Sequence, residues 1–384
     1  MFEQGLEKFR TGYYRQAISD FTRVLERNDQ YYEAFYFRGR SHQAMGQMRD
    51  AVSDYNKALS IRRDYHPALL YRGMYYVTQQ DHRRAFSDFD AAIGAWPTYV
   101  EAYIARAELK EHTGDISGAV EDYTMALQLN ASDKMLWHHR GRLFHALKRY
   151  EEAVQDQGQA IRLDSMMGDA YYYRGLGYQQ KRRLRNALSD FDRAISLGVD
   201  NEDVFTRAGH IAFDLFRFEK AIEYYTPLIR RYRTRDVQVH LNRGISHVRT
   251  RDYRSARDDL TRAIVYDKEN EQAFLQRAIV NHRLRREAAS FRDFRRAIEL
   301  NPQSFRNYEQ RGLVYFELER YDLAMADFNK SIELRPTGDA HYHRGMIRAM
   351  RMENQGACED LEAATRMGHP QATLEFSRIC RSDF

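Results

Sequence analysis

Small, apolar and aromatic positions recur along this chain with a single period. Gly5, Gly39, Gly73, Ala107, Gly141, Gly175, Gly209, Gly244, Ala278, Gly312 and Gly345 fall 34 residues apart, with one step of 35 and one of 33. Twelve residues after each comes Ala17, Ala51, Ala85, Ala119, Ala153, Ala187, Ala221, Ala256, Ala324 or Ala357, and only Ser290 departs. Four further on stands a large ring in most copies, as at Phe21, Tyr55, Phe89, Tyr123, Phe191, Tyr225, Phe294 and Phe328. Small residues let two helices approach closely, and the rings fill the groove between them. Each half-repeat is about 14 residues, or roughly 21 Å of helix. One such pair cannot bury its own apolar stripe, so the pairs must stack on one another. The pattern predicts about eleven helix-turn-helix units.

With the small residue of each copy numbered position 8, an arginine precedes it at position 7 in nine copies and an aspartate recurs at position 23. The turn falls near position 15, so residues eight before and eight after it lie side by side in an antiparallel pair. Arg38 is therefore expected opposite Asp54, Arg72 opposite Asp88 and Arg174 opposite Asp190, as structural ion pairs rather than a ligand set. Repeat 7 carries Ala208 and Tyr224 at these positions and has lost both partners together, as a pairing requires. Repeat 1 has Gln4 opposite Asp20 and is a half exception.

The aromatic at position 4 (Phe35, Tyr103, Trp137, Tyr171), the Gly, the Ala-x3-Phe run and occasional terminal prolines (Pro97, Pro302, Pro336) resemble the tetratricopeptide repeat family. The resemblance covers nearly the whole chain. It implies an all-α fold, a right-handed α-solenoid superhelix whose first helices line a concave surface, and a scaffold that binds other proteins. Some relatives clamp an acidic chaperone tail with Lys and Asn. Here those positions include Tyr36 and Arg40, or His138 and Arg142, so that clamp is not expected. Tandem copies with a cysteine-bearing end look like bacterial repeat proteins, some of them exported.

Residues 1–199 are expected to hold repeats 1–6, and 237–368 repeats 8–11. Residues 200–236 form an irregular repeat 7, with Pro227 inside its second helix and the run Arg230–Arg235 after it, and are expected to act as a hinge. Residues 369–384 are expected to give a capping helix and tail, with Ala372, Phe376, Ile379 and Cys380 against the last repeat and Glu375, Arg378 and Arg381 toward water. In repeat 5 the ring position is Gln157, which weakens local packing unless it finds partners. Met1 falls at position 4, so the first helix is expected to lack its opening residues, consistent with removal of a leading segment such as a signal peptide.

Composition narrows the function further. The chain has 384 residues, 43% hydrophobic and 30% charged, with 6 prolines, which suits a helical protein with a core. Lysine and arginine total 60 against 55 acids, a net charge of +5. That permits acidic partners without demanding nucleic acid. No apolar run is long enough to span a membrane. No nucleophile elbow, P-loop, dinucleotide fingerprint or metal cluster is present, so neither enzymatic activity nor a cofactor is expected. His138, His139 and His145 lack an acidic third ligand and are read as groove or packing histidines rather than a metal site. Cys358 and Cys380 lie in the last repeat and the capping helix, where antiparallel packing could join them in a disulfide. Such a bond implies an oxidising compartment, and an exported or periplasmic location is favoured over a cytoplasmic one.

Positions 2, 5, 9, 12 and 13 share one face of each first helix. On that face Tyr36, Arg40, His138, Arg142, His145, Tyr172, Gln179 and His210 are the candidate partner-binding residues, because rings and arginines are enriched among binding hot spots. The expected function is a non-enzymatic scaffold or adaptor holding a peptide or a partner helix in the groove. The alternatives are an RNA-binding solenoid using the Arg-rich runs Lys181–Arg185, Arg230–Arg235 and Arg283–Arg286, and a self-associating structural subunit.

Overall fold

The structure is a computed structural model that describes residues 1–380. All regular elements among the described residues are helices, and they divide between two compact units whose boundary in the sequence lies between Val199 and Asp200. The first unit holds α1 (Phe2–Arg10), α2 (Tyr14–Arg27), α3 (Tyr32–Ala44), α4 (Met48–Ile61), α5 (His66–Thr78) and α6 (His82–Ala95). It continues with α7 (Val100–Thr113), α8 (Ile116–Leu129), α9 (Lys134–Ala146), α10 (Tyr150–Leu163), α11 (Gly168–Gln180) and α12 (Leu184–Ser196). The second unit holds α13 (Glu202–Asp214), α14 (Phe218–Arg230), α15 (Val237–Arg249), α16 (Tyr253–Tyr266), α17 (Glu271–Arg283) and α18 (Glu287–Leu300). It ends with α19 (Phe305–Glu317), α20 (Tyr321–Leu334), α21 (Gly338–Met350), α22 (Asn354–Arg366) and α23 (Ala372–Cys380). Within each unit a helix packs on its sequence neighbours, and several first helices also touch the first helix of the next pair. That is solenoid stacking.

One backbone device closes every hairpin. The residue at position 15 is left-handed in each of the eleven turns: Gly12, Gly46, Gln80, Gly114, Lys148, Arg182, Phe216, Arg251, Arg285, Glu319 and Met352. Only three of these are glycine. The remaining side chains accept a conformation that costs an L-residue roughly 1–2 kcal/mol, and packing of the two helices offsets it. The small residue at position 8 then lies against the ring at position 24. A Cβ added at Gly73 would stand 2.5 Å from the Phe89 ring, and one at Gly175 would stand 2.7 Å from that of Phe191. The alanines at position 20 and the rings at position 24 are almost wholly buried. Ser290, the one hydroxyl among those alanines, donates to the Ala278 carbonyl at 2.8 Å and so is paired.

In every repeat except the first and seventh, the position-7 arginine forks onto the position-23 aspartate. Nε lies 2.7–2.9 Å from one carboxylate oxygen and Nη2 2.6–2.9 Å from the other. Nη1 reaches back to position 25 of the preceding repeat, as from Arg38 to Thr22, Arg72 to Asn56, Arg106 to Asp90, Arg140 to Thr124 and Arg277 to Thr261. Each arginine therefore fixes the register within its own hairpin and against the one before. Gly158 and Arg295 occupy position 25 ahead of Arg174 and Arg311, so those two arginines lack the backward bond. In repeat 1 the missing arginine is replaced by Lys8, one turn along, which pairs with Asp20. In repeat 7 Ala208 and Tyr224 are both buried, an uncharged substitute for the ion pair.

Repeat 7 groups with repeats 8–11. Its second helix, α14, runs through Pro227, and after it Arg231 and Tyr232 both bond to Asp200. At the C-terminal end Cys358 and Cys380 are joined by a disulfide that ties α23 to α22. Ala372 is fully buried and Phe376 and Ile379 are partly so. Arg378 is exposed and pairs with Glu375, and Arg381 lies outside the described residues.

Candidate partner-binding site

The first helices of the first unit carry the residues expected to line a groove, and their surroundings differ. Tyr36 is 6% exposed and His138 5%. The Tyr36 ring is enclosed by Phe37, Tyr65 and Tyr71, and its hydroxyl accepts from Arg40 at 3.0 Å. His138 bonds through Nδ1 to Gln157 Oε1 at 2.9 Å, and Gln157 Nε2 donates to the His138 carbonyl at 3.0 Å. These two residues are therefore core packing, a correction to the expectation that they face a guest. The same contacts supply the partners that the buried Gln157 amide requires.

Arg40 is half-buried, its guanidinium 3.7 Å from the centre of the Tyr71 ring. Arg142 pairs with Glu111 of the preceding repeat at 2.5 Å. His145, Tyr172 and Gln179 are each partly exposed along the same face. His145 meets the Tyr150 ring edge-on at 5.4 Å, and Tyr172 meets Tyr173 in the same way at 5.2 Å. His210, in the second unit, packs against Tyr225 at 5.7 Å, and burial lowers its pKa. Among the described residues no group of three or more His, Cys, Asp or Glu side chains could hold a metal ion.

The structure also brings together residues that sequence reasoning passed over. A cavity of about 260 Å³ opens between α5 and α7, lined by Met74, Val77, Thr78, Phe89, Ala105, Glu108, Leu109 and His112. Its cause is one side chain. At position 6 three first-unit repeats carry a ring that covers the position-24 ring of the repeat before. Phe37 covers Phe21 at 6.0 Å, Tyr71 covers Tyr55 at 6.3 Å and His139 covers Tyr123 at 5.6 Å. Repeat 4 has Ala105 there, so a cleft is left above the buried Phe89 ring. Met74 stands at its rim, 41% exposed. Glu108 flanks it, and its carboxyl pKa is raised by desolvation and by Glu111 one turn on. The signal in the sequence is Met74 and Val77 at groove positions 9 and 12, apolar residues on a face otherwise rich in rings and charges.

Cavities in the second unit have another character. Two of them are walled by the Arg243–Asp259 and Arg277–Asp293 pairs and are polar. The basic runs are partly neutralised: Lys181 pairs with Glu151, Arg231 with Asp200, and Arg283 with Glu317. No helix among the described residues is long and apolar enough to cross a membrane.

Stacked helix hairpins of this kind define a helical repeat protein. The chain belongs to the tetratricopeptide repeat family. One profile of that family matches residues 2–67, 38–100, 70–134 and 241–305, together more than half the chain, and a second matches 136–165 and 305–337. Repeats of this family generally mediate protein–protein interaction, and its members are typically non-enzymatic scaffolds. No curated protein sequence matches the chain significantly. Among solved structures, YrrB, described as a TPR protein with an unusual peptide-binding site, is 20% identical, with 49% of this chain and 96% of that one covered at a TM-score of 0.44. The C-terminal part of a TPR repeat-containing protein from Cytophaga hutchinsonii is 15% identical over 72% of this chain and 99% of that one, at a TM-score of 0.48. A tetratricopeptide repeat protein from Parabacteroides merdae is 21% identical over 63% and 96%, at 0.44.

Proposed function

We propose that this protein is a non-enzymatic scaffold that takes a peptide or helix of a partner protein along the first-helix face of residues 1–199. The observation that carries this reading is the open apolar cleft between α5 and α7, with an exposed methionine at its rim on the face the repeats leave uncovered. A solvent-exposed apolar cleft with polar flanks marks an interaction surface. Arg40, Arg142, His145, Tyr172 and Gln179 extend the same face to either side and would supply orienting contacts, with a few positions dominating the affinity. The pairing of the basic runs with carboxylates favours this reading over an RNA-binding one, since a phosphate backbone needs uncompensated cations.

The test is site-specific photo-crosslinking in source cells. A benzophenone amino acid at Met74 should capture a partner protein, and the same group at Met125, exposed on the second helix α8, should not. Equal capture at the two positions, or none at Met74, would remove the groove from the account. We propose also that the protein works in an oxidising compartment such as the periplasm, which the Cys358–Cys380 bond supports. Rapid alkylation of intact cells should then leave both cysteines unmodified, and labelling of both would overturn the assignment.

A further inference from the structure

We infer that the cleft between α5 and α7 selects a partner segment in which an apolar side chain stands next to a basic one. This rests on the reading that the first-helix face binds a partner protein, and it assigns the chemistry of that partner. The cleft, at about 260 Å³, lies below the roughly 300–1,000 Å³ of a small-molecule site, so it accepts a side chain rather than a cofactor. Its lining includes Met74, Val77 and Ala105, with the buried Phe89 and Leu109 side chains behind them. A Leu, Met, Ile or Phe side chain fits that lining.

The charge requirement follows from Glu108. Among the described residues no ion pair to Glu108 is formed, and cations on the same and adjoining first helices are committed elsewhere. Arg142 is held by Glu111, Lys110 by Asp122 at 2.9 Å, and Arg40 lies over Tyr71. His112 meets His82 edge-on at 5.7 Å. Any segment that covers the cleft also takes the Glu108 carboxylate out of water, and a desolvated carboxylate without a partner is costly. The segment must therefore bring its own cation beside the apolar anchor. An acidic neighbour would meet the unpaired Glu108 carboxylate and be rejected, which supplies specificity by repulsion as well as attraction.

The experiment is selection of a phage-displayed random-peptide library on the full chain, followed by affinity measurement with the peptide selected. The wild type should enrich Leu, Met, Ile or Phe with Arg or Lys adjacent. Glu108→Arg should keep the apolar anchor and exchange the basic neighbour for an acidic one, a reversal that loss of folding cannot mimic. Ala105→Tyr restores the ring that neighbouring repeats carry and closes the cleft. It should weaken the selected peptide by tenfold or more with thermal unfolding unimpaired. Replacing the peptide's basic residue by Ala should weaken binding by about tenfold. Wild-type selections without a basic bias, no enrichment at all, or the same consensus from Glu108→Arg would overturn the inference. Crosslinking at Met74 to a partner lacking this pairing would refute the inference alone. Absence of crosslinking would refute the groove itself.

Discussion

Replacing Arg174 by Met should be among the most damaging single changes in the ion-pair ladder, and the structure says why. Asp190 is held by Arg174 through two bonds of 2.7 and 2.8 Å, with its side chain 7% exposed and that of Arg174 22%. Some repeats have reserves. Asp122 keeps Lys110 if Arg106 is lost, and Asp360 keeps Arg348 and His341 if Arg344 is lost. In repeat 6 the equivalent of Lys110 is Tyr178, so Arg174→Met strands the carboxylate. Burial already raises the Asp190 pKa against the opposing pull of Arg174. Breaking a buried pair from one side costs about 3–5 kcal/mol. Arg106→Met, with Lys110 remaining, should cost about 1–2 kcal/mol, close to a lost charged hydrogen bond.

Long repeat arrays do not unfold in one step, so the assay is hydrogen exchange of the amides in α11 and α12 rather than a single melting temperature. A loss of ~3 kcal/mol corresponds to exchange faster by about a hundredfold. With Arg174 gone, the folded pKa of Asp190 rises further above its unfolded value. The penalty is then full near neutral pH and shrinks as the pH falls through the folded pKa and the carboxyl takes a proton. Arg174→Met with Asp190→Leu should recover most of the loss, because apolar replacement of both partners is near neutral. Repeat 7 already carries an uncharged replacement in Ala208 and Tyr224. Equal acceleration in Arg174→Met and Arg106→Met, or a double variant no more protected than Arg174→Met, would refute the reasoning.

Three further outcomes are expected. The pKa of His139 is lowered to about 4 from 6.5 by burial, then by His138 and Arg142. Its contribution to stability is complete above about pH 6.5 and is lost as the pH falls toward 4, so His139→Phe should flatten that part of a pH series of amide protection in α9, with His138 maintaining a slope of the same sign. Reducing the Cys358–Cys380 bond, or replacing Cys358 by Ser, should cost the end of the second unit about 3 kcal/mol. Trypsin should then cut at Arg366 much faster while cleavage within residues 1–199 is unchanged. Lys148 is left-handed at φ 59°, so Lys148→Gly relieves strain of about 1–2 kcal/mol against about 0.5–1 kcal/mol of added chain entropy. Slower exchange in α9 and α10 is the expected sign, and faster exchange would mean the lysine side chain contributes more than its backbone costs.

The hairpin was legible because its chemistry is symmetric about the turn. Arginine eight residues before position 15 and aspartate eight after it could be paired by counting, and the turn residue is indeed the left-handed one in each repeat. Counting stopped short where a second residue shares the task. Lys8 and Lys110 stand four residues after position 7, one helical turn along, and reach the same carboxylate from there. The Nη1 bonds back to Thr22 or Asn56 join one repeat to another, which no symmetry within a hairpin reveals.

The groove residues were read by type, and type does not report what the next repeat lays over them. Tyr36 has hot-spot chemistry, yet Tyr65, Tyr71 and the Arg40 guanidinium close around it. Ala105 attracts no attention by type, but it is the place where a covering ring is missing and a cleft opens above the buried Phe89 ring. In a stack whose repeats differ by single side chains, a binding site can arise from a deletion. Each ring-bearing neighbour shows what Ala105 would need to become to erase it, which makes Ala105→Tyr a sharper probe of this surface than removing any residue that lines it.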